Sequence, residues 1–217
     1  MEKIRIDYLN FHPEYKVCQH EDMYHFNSDT CLLGEFLKVN ENEQALDVGT
    51  NNGALLVYII KKGGIATGIE INKKALEVCK MTLSINNLNA TLINEDFKAW
   101  DNSKKFDVIV CNPPYFDTKE DAKKSINEHI RIARHEDKLT LKQLCETLPK
   151  HLSSNGRIYL VYRPNRFNEL NKYLNLNNLY INEYQDVYDK STNKHRSVLV
   201  FASFNNIKMK KLEDLYI

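Results

Sequence analysis

Residues 44–60 read QALDVGTNNGALLVYII, and this stretch decides the fold. Gln44–Val48 is strand-like, Gly49–Gly53 is a glycine-bearing turn, and Ala54–Ile60 is an apolar stretch of helical character. A strand, a turn and a helix N-terminus in this order are typical of a nucleotide-type site, because glycine lets a ligand approach the backbone. The spacing D-x-G-x-N-x-G lacks the G-x-G-x-x-G pattern of dinucleotide sites, so it does not indicate pyrophosphate binding.

Two further strand-like runs end in acidic residues. Ile65–Ile69 is followed by Glu70, about 20 residues after Asp47, where a carboxylate commonly accepts both hydroxyl groups of a ribose. The alternative is that Glu70 is only a carboxylate favoured by the start of the next helix. Asp96 follows Ala90–Asn94 and is predicted to accept a hydrogen bond from the amine of an adenine, unless it is an ordinary turn carboxylate.

The strand-like run Phe106–Cys111 ends at the tetrapeptide Asn112-Pro113-Pro114-Tyr115. Proline cannot donate a sheet hydrogen bond and biases the residue before it away from helix, so the chain leaves the sheet in an extended form. Open α/β sheets bind their ligands at this carboxyl end of the strands. The Asn112 side-chain oxygen, the Pro113 carbonyl and the Tyr115 ring therefore suit a planar amino group, although a Pro-Pro turn capped by Asn is the plain alternative.

These motifs, in this order, resemble those of class I S-adenosylmethionine-dependent methyltransferases that methylate amino groups. Two more segments narrow the resemblance. Asn27–Gly34 resembles the S/T-D-x-x-L-L-G element of the bacterial tRNA1(Val) (adenine-N6)-methyltransferase family. Ala133–Glu136, followed by Leu139–Leu141, resembles that family's signature beyond the N-P-P-Y loop. The resemblance extends from Phe26 to Phe204 and so covers nearly the whole chain.

The resemblance implies a fold, a cofactor and an activity. The expected fold is α/β, the Rossmann-like class I methyltransferase fold, with about seven strands in a mostly parallel sheet, a C-terminal antiparallel strand and helices on both faces. Residues 1–217 are expected to form a single domain, with 1–43 as an N-terminal extension or helix that packs on the core. The expected cofactor is S-adenosylmethionine and the expected partner is tRNA. The expected reaction methylates the N6 amine of the adenine next to the anticodon, adenosine 37 of tRNA1(Val).

The motif positions give three sets of candidate site residues. Methyl transfer is assigned to Asn112, Pro113, Pro114 and Tyr115. Cofactor contacts are assigned to Asp29, Thr30, Asp47, Gly49, Thr50, Asn51, Gly53, Glu70, Ile71, Asp96, Phe97 and Asn112. Substrate contacts are assigned to Tyr115, Phe116, Lys123, Lys124, Arg134, His135, Lys194 and Arg196. The first loop departs from the family at Asn51, which replaces a glycine; asparagine is the residue after glycine best able to hold a positive φ.

The charge of the chain bounds how it can hold RNA. A net charge of +1 over 217 residues lacks the global excess of a nonspecific nucleic-acid binder, so local patches must supply the phosphate contacts. The candidates are the segment Lys119–Arg134, the hairpin tip Lys194–Arg196, the pair Arg163 and Arg166, and the tail residues Lys208, Lys210 and Lys211. Ordinary solvated faces are the alternative.

The remaining composition favours a cytoplasmic protein. Five cysteines are an odd number, and without a C-x-x-C pair they argue against a disulfide framework and a zinc site. No apolar stretch approaches the roughly 20 residues of a membrane span. We therefore expect no membrane and no metal partner, and a monomer or weak dimer. The abundant asparagines form no motif and are interpreted as compositional bias.

Patterns downstream complete the predicted sheet. Thr140–His151 predicts a capped amphipathic helix, Arg157–Tyr162 a strand, and Asn165–Leu174 another helix. Tyr180–Tyr188 and Ser197–Phe204 are predicted to form a hairpin that closes the sheet.

Two other functions remain open. The same tetrapeptide serves the amide nitrogen in protein glutamine N5-methyltransferases that act on release factors. That family carries a larger helical region at its front, whereas only 46 residues precede Asp47. The third function is that of a catalytically idle RNA-binding or scaffold protein that keeps the fold. The intact Asn112 and the acidic residues argue against it.

Overall fold

The computed structural model describes residues 3–113 and 139–217. A short 3-10 turn, Pro164–Arg166, precedes the last helix. The elements in chain order are β1 Ile4–Leu9, β2 His12–His20, α1 Ser28–Phe36, β3 Gln44–Val48, α2 Ala54–Lys61, β4 Ile65–Ile69, α3 Lys73–Ile85, β5 Thr91–Ile93, β6 Phe106–Cys111, α4 Leu141–His151, β7 Leu152–Tyr162, α5 Phe167–Leu176, β8 Tyr180–Tyr188, β9 His195–Ser203, β10 Lys210–Lys211 and β11 Leu215–Tyr216.

The large sheet has the strand order β5-β4-β3-β6-β7-β9-β8, and the two short strands β10 and β11 both pair with β8. Strands β5, β4, β3, β6 and β7 are mutually parallel. Strand β9 is antiparallel to both of its neighbours, β7 and β8. The predicted fold, a mostly parallel sheet closed by a C-terminal antiparallel strand, is confirmed. The strand order reverses direction at β3, so the crevice at the carboxyl ends of β3 and β6 is the expected ligand site.

Side chains along the central strands point to one face of the sheet or the other, and helices bury both faces. In β6, Phe106 and Ile109 belong to the core on the face of α4 and α5, whereas Val108 and Val110 belong to the core on the opposite face. Helices α1, α2 and α3 supply that second core, chiefly through Leu32, Leu33, Leu55, Leu56, Ile59, Cys79 and Leu83. Helices on both faces were predicted and are present.

Helix α4 begins where the sequence indicated. The Thr140 side chain accepts from the backbone N–H of Gln143, and the Gln143 side chain accepts from the Thr140 backbone N–H, which is a complete capping box. Strand β7 differs from its prediction, because it begins at Leu152 and not at Arg157. Its pairing with β6 jumps from Leu152 to Arg157, so the residues between them form an irregular bulge.

The N-terminal residues form a hairpin and a helix that pack on the main sheet's helices. In the hairpin β1–β2, the Cys18 backbone N–H donates to Thr82 Oγ1 of α3 at 3.0 Å. Helix α1 approaches α2 closely, because a Cβ on Gly34 would lie only 2.3 Å from the ring of Tyr58. The glycine of the L-L-G element is thus explained by helix packing. Asn27 caps α1 by accepting from the Thr30 backbone N–H.

Two further features concern the cysteines and the helices. All five cysteines are free and buried. None of the helices in residues 3–113 and 139–217 is long and apolar enough to cross a membrane.

Candidate active site

The loop between β3 and α2 takes its shape from three residues with positive φ. Gly49 has φ 72°, Asn51 has φ 48° and Gly53 has φ 82°. The expectation that Asn51 holds the conformation of the missing glycine is confirmed. The two glycines differ in purpose: a Cβ on Gly49 would meet nothing within 4 Å, whereas a Cβ on Gly53 would lie 2.7 Å from Cys79 Sγ. Gly49 therefore borders open space, and Gly53 permits α2 to pack against α3.

Asp47 lies beneath this loop with an incomplete set of hydrogen bonds. Its side chain is 1% exposed, and Oδ2 accepts from Thr50 Oγ1 at 2.6 Å. Oδ1 is buried and has no hydrogen-bond partner among the residues that the structure describes. Burial raises the pKa of Asp47 to about 7, against the hydrogen bond from Thr50, and repulsion from Glu70 adds to the increase. A buried carboxylate oxygen of this kind favours a cationic partner.

Glu70 organises the loop from the end of β4. Its Oε2 accepts from the Asn51 backbone N–H at 3.0 Å, and its Oε1 accepts from the Asn72 backbone N–H at 2.8 Å. These two bonds tie the Glu70 carboxylate to the loop on one side and to the start of α3 on the other. The next residue, Ile71, is 41% exposed. Asn94 Nδ2 donates to the carbonyls of both Glu70 and Ile71, which fixes this corner.

Asn112 is oriented by the side chain of Thr30, 82 residues earlier in the chain. Its Nδ2 donates to Thr30 Oγ1 at 2.9 Å. Thr30 Oγ1 in turn lies 3.4 Å from Asn27 Oδ1, to which its hydroxyl donates. Because the amide nitrogen is engaged by Thr30, Asn112 Oδ1 is the acceptor left at the carboxyl end of β6. No described residue donates to that oxygen.

Asp29, the neighbour of Thr30, is bonded to a strand of the main sheet. It is 6% exposed, and its Oδ1 accepts from Ser197 Oγ of β9 at 2.8 Å. Asp29 and Thr30 therefore fix the start of α1 to two strands, β9 through Ser197 and the end of β6 through Asn112. The sequence assigned both residues to the cofactor, which stays a prediction, and these contacts show in addition how they position the start of α1.

Asp96 and Phe97, which follow β5, lie in different environments: Asp96 is at a surface turn and Phe97 is in the core. Asp96 Oδ1 accepts from the Lys98 backbone N–H at 3.0 Å, and Oδ2 lies 3.5 Å from Lys98 Nζ, so this carboxylate closes a turn. Phe97 is 5% exposed, and its ring centroid lies 5.2 Å from that of His151 in the core. The structure does not bring the Phe97 ring to the loop. The exposed apolar side chain beside Glu70 is that of Ile71.

Three residues that the sequence did not single out, Gln19, Tyr24 and Asn94, help to hold the loop and the adjoining corner in place. Gln19 Oε1 accepts from the backbone N–H of Phe26 and, at 3.4 Å, from Asn52 Nδ2. Asn51 Nδ2 donates to the Tyr24 carbonyl at 2.9 Å. With Asn94, these contacts brace the loop from two sides. Except for the bond between Gln19 and Phe26, each contact joins residues more than 20 positions apart, so no local pattern reveals them.

The basic candidates at the β8–β9 hairpin lie at the same edge of the sheet as Asn112. Strand β9 is antiparallel to β7, so its first residues meet the carboxyl end of β7. Arg163 Nη1 donates to the Arg196 carbonyl, and Arg196 Nη1 lies 3.3 Å from Asp189 Oδ2. Lys194 is exposed. In the tail, Lys211 Nζ is paired with Asp186 and Asp214 at 2.9 Å and 2.8 Å.

Several predicted residues lie outside the described part of the chain. They are Pro114, Tyr115, Phe116, Lys123, Lys124, Arg134 and His135, with the rest of the basic segment Lys119–Arg134.

Comparison with known proteins decides the family. A family model described as the methyltransferase small domain matches residues 14–189. The chain belongs to this family. With its sheet order and cofactor-type loop, it is a class I methyltransferase dependent on S-adenosylmethionine.

The relatives carry more specific names. A protein of a Flavobacteriaceae bacterium, named tRNA1(Val) (adenine(37)-N6)-methyltransferase, is 25% identical over 201 residues, which are 90% of this chain and 84% of the relative. A protein of the same name from Aliivibrio fischeri is 31% identical over 135 residues, 60% of this chain and 56% of the relative. A protein of Methanocaldococcus jannaschii named for N5-glutamine methylation is 29% identical over 151 residues, 67% of this chain and 75% of the relative.

Solved structures share the fold. A ribosomal protein L11 methylase of Lactobacillus delbrueckii subsp. bulgaricus aligns with a TM-score of 0.61 at 18% identity, covering 85% of this chain and 82% of that one. The T. thermophilus 16S rRNA N2 G1207 methyltransferase, solved with AdoMet and guanosine, aligns with a TM-score of 0.66 at 19% identity, covering 93% of this chain and 50% of that one.

The residues around the loop fit S-adenosylmethionine. The unpartnered buried oxygen of Asp47 suits the cationic amino acid end of the cofactor, directly or through a water, and the open space at Gly49 admits it close to the backbone. Glu70, an acceptor at the end of β4 beside the loop, suits the ribose hydroxyl groups, and the exposed Ile71 suits one face of the adenine.

The raised pKa of Asp47 predicts that cofactor affinity depends on pH. The pKa of Asp47 is about 7 in the unliganded fold, above the usual 3.8, so the fold favours the protonated carboxyl group. The free energy of unfolding should therefore decrease as pH rises from about 4 to 7, where the carboxyl group ionises. A cationic ligand favours the carboxylate. Affinity for S-adenosylmethionine should therefore weaken as pH falls from about 7.5 to 5.5, a range below the pKa of an α-amino group.

Calorimetry over that range measures the effect. Asp47→Asn, which cannot titrate, should bind more weakly at pH 7.5 and show a flatter pH profile. A parental profile that is flat across the range would contradict the role given to Asp47.

Proposed function

We propose that the chain is a cytoplasmic tRNA (adenine-N6)-methyltransferase that modifies adenosine 37 of tRNA1(Val). The observation that carries the proposal is the contact between Asn112 and Thr30, because it leaves the Asn112 side-chain oxygen as an acceptor for an amino group. The names of the relatives support the choice of tRNA. The continuous sheet and the extent of the family match support a single domain over residues 1–217.

The chemistry follows from the weakness of the nucleophile. The lone pair of an adenine N6 amine is delocalised into the ring, so the nitrogen attacks poorly while it is planar. Hydrogen bonds from its two protons to Asn112 Oδ1 and the Pro113 carbonyl favour a pyramidal nitrogen and direct its lone pair toward the methyl donor. These bonds strengthen as positive charge develops on the nitrogen, which is stabilisation of the transition state. No strong base is required, because the nitrogen–carbon bond forms as the sulfur–carbon bond of the donor would break, and the cationic methylated amine then loses its proton to water.

S-adenosylmethionine, when bound, supplies the methyl group on its sulfonium. The chain's own residues orient the acceptor: Thr30 holds the Asn112 amide, and Asn27 holds the Thr30 hydroxyl. Tyr115 is assigned to stacking on the target base, which is worth about 1 to 3 kcal/mol for a base on an aromatic ring. An unpaired loop base is cheaper to extrude than a paired one, which favours the anticodon loop as a target.

A glutamine amide in a protein is the second candidate substrate. The Methanocaldococcus relative supports it, and the acceptor pair suits an amide nitrogen as well as an adenine amine. The cations Arg163, Lys194 and Arg196 lie at the carboxyl ends of the parallel strands, as Asn112 does. They favour RNA, because they are better suited to phosphates than to a neutral peptide loop.

Incubation with methyl-labelled cofactor and either total tRNA or release factor distinguishes the two. We expect label in the tRNA and N6-methyladenosine in its nucleoside digest, measured by mass spectrometry. A labelled glutamine in the release factor with no labelled nucleoside would replace the RNA assignment by the second candidate. Cofactor binding without transfer to either would favour the idle scaffold.

A further inference from the structure

Three aromatic rings stack in a row across neighbouring strands. His195 begins β9, Tyr188 ends β8, and Tyr216 lies in β11; Tyr188 is the cross-strand partner of both others. The ring centroids are 4.6 Å apart for Tyr188 and His195 and 5.4 Å apart for Tyr188 and Tyr216, and both interplanar angles are 22°. Tyr216 is 53% exposed. Because about half of Tyr216 is exposed, another flat group can extend the row of parallel rings at this residue.

This ring column, His195, Tyr188 and Tyr216, lies on the same side of the sheet as Asn112, at the carboxyl ends of the parallel strands. Strand β8 is antiparallel to β9 and so runs in the direction of β7, which puts its last residue at the carboxyl edge. Four steps between neighbouring strands separate β6 from β11. At about 4.8 Å a step, Tyr216 in β11 is displaced about 19 Å across the sheet from β6, and the column lies a few residues further along the strand direction than the end of β6. That distance is spanned by a few nucleotides.

The loop beside the column is rigid and carries exposed cations. Asp189 accepts from the backbone and side chains of Ser191 and Thr192, which fixes the turn and holds the pKa of Asp189 below its usual range. Lys190 and Lys194, at either end of this turn, are exposed. Neither makes an ion pair with any other residue of the described ranges.

Two acidic side chains near the column, Asp186 and Asp214, are already paired. Asp186 Oδ1 lies 3.0 Å from His195 Nε2, and its Oδ2 lies 2.9 Å from Lys211 Nζ. Lys211 also pairs with Asp214 at 2.8 Å. The region therefore offers a flat aromatic face flanked by unengaged positive charge, which is the combination that binds single-stranded nucleic acid.

We propose that the ring column binds an unpaired nucleotide of the RNA substrate, with the base stacked on the outer face of Tyr216 and its phosphate near Lys190 and Lys194. The proposal rests on the proposed function and adds a second contact to it, distant from the methylated base. Such a contact fits a chain with a net charge of only +1, because stacking supplies affinity that diffuse charge does not. Stacking is tolerant of sequence, since every base has a flat face.

Substitution of Tyr216 tests the contact. Tyr216→Leu keeps an apolar side chain and removes the ring, whereas Tyr216→Phe keeps the ring. We expect Tyr216→Leu to weaken binding of fluorescently labelled tRNA about tenfold and to raise the Michaelis constant for tRNA equally, with the turnover number and cofactor affinity unchanged. Tyr216→Phe should match the parent. Folding of each variant is checked by circular dichroism and cofactor binding.

Tyr8→Leu is the matched control. Tyr8 is 52% exposed, close to the value for Tyr216, but it lies near the tip of the β1–β2 hairpin. Its partner Lys16 is bonded to Asn86 at the end of α3, so this tip is at the opposite edge of the sheet. Parental tRNA binding by Tyr216→Leu, or an equal loss in Tyr8→Leu, would overturn the proposal.

A fluorescent variant gives an independent measurement. The chain has one tryptophan, Trp100, which is 8% exposed and stacked on His151, so an introduced tryptophan is read against a constant background. The emission of Tyr216→Trp should be quenched by tRNA and by a short single-stranded RNA, while the parent changes little. Unquenched emission at saturating RNA would overturn the proposal even if Tyr216→Leu fails to fold.

The outcomes separate this contact from the proposed function. If the parent methylates tRNA and the Tyr216 variants have parental constants and no quenching, only the ring column is wrong. If the parent labels release factor and binds no RNA, the proposed function fails, and the column loses its ligand with it.

Discussion

Asn112→Ala is expected to lower the rate of methyl transfer to tRNA by about a hundredfold or more, as for loss of a hydrogen-bond partner of the transition state. Affinity for S-adenosylmethionine and for tRNA should stay within a few fold of the parent, because the acceptor oxygen of Asn112 is assigned to the reacting amine. Single-turnover kinetics at saturating cofactor measure the chemical step directly. A folded Asn112→Ala variant that methylates at the parental rate would remove the acceptor role.

Thr30 provides the matched test of how Asn112 is held. Thr30→Val removes the oxygen that accepts from Asn112 Nδ2 but keeps the shape of the side chain. Thr30→Ser keeps the oxygen. The valine variant should lose turnover with little change in the Michaelis constants, and the serine variant should recover most of it. Equal loss in both would indicate that Thr30 acts through packing of α1 instead.

Glu70→Ala is expected to cause the largest loss of cofactor affinity. Each hydrogen bond lost to a charged acceptor contributes about 1.5 to 3 kcal/mol, and 1.4 kcal/mol corresponds to tenfold in affinity. The loss should be at the upper end, because this carboxylate also accepts from the backbone of Asn51 and Asn72 and so shapes the loop. Calorimetry with S-adenosylmethionine and with its demethylated product measures it.

Glu95→Ala is the control for charge alone. Glu95 is exposed near the same corner, so its loss changes the net charge equally without touching the loop. Its affinity should remain parental. Unchanged affinity in a folded Glu70→Ala variant would place the ribose elsewhere.

The parts of the fold that follow from local patterns were predictable. The β3 strand, the positive φ of Asn51 and the capping box at Thr140 are each fixed by a few consecutive residues. The carboxyl edge, with Asp47, Glu70 and Asn112 at the ends of parallel strands, follows from the order of strands and helices.

The contacts that orient the site were not predictable, because they join distant parts of the chain. Thr30 and Asn112 are 82 residues apart, and Asp29 and Ser197 are 168 apart. A motif reveals which residue types recur together but not which of them touch. The motif therefore suggested a cofactor contact for Thr30 but did not reveal its bond to Asn112.

Phe97 illustrates a second limit. Its position beside Asp96 suggested a surface that flanks the adenine, but burial against His151 and Trp100 gives this ring to the core. An aromatic residue after a short strand carries no signal for which way its side chain turns. Tertiary packing decided it.

The interpretation of the asparagines as compositional bias was incomplete. Within the described ranges, every residue other than glycine with positive φ is an asparagine: Asn42, Asn51, Asn87, Asn178 and Asn193. Asparagine tolerates the left-handed region better than other side chains, so each marks a turn that glycine would otherwise fill. The number of asparagines does not show this, because only the structure shows which of them occupy turns with positive φ.

The two short strands that pair with β8 have a consequence for solubility. Without β10 and β11, the nine-residue strand Tyr180–Tyr188 would present unpaired N–H and C=O groups along its outer side, a template on which a second molecule can extend the sheet. The tail thus covers an edge strand that could otherwise pair with a second molecule, and it also carries Tyr216. Deletion of the tail would therefore combine the loss of the RNA contact with aggregation of the protein. Single side-chain changes, which leave the backbone pairing intact, are the way to separate the two roles.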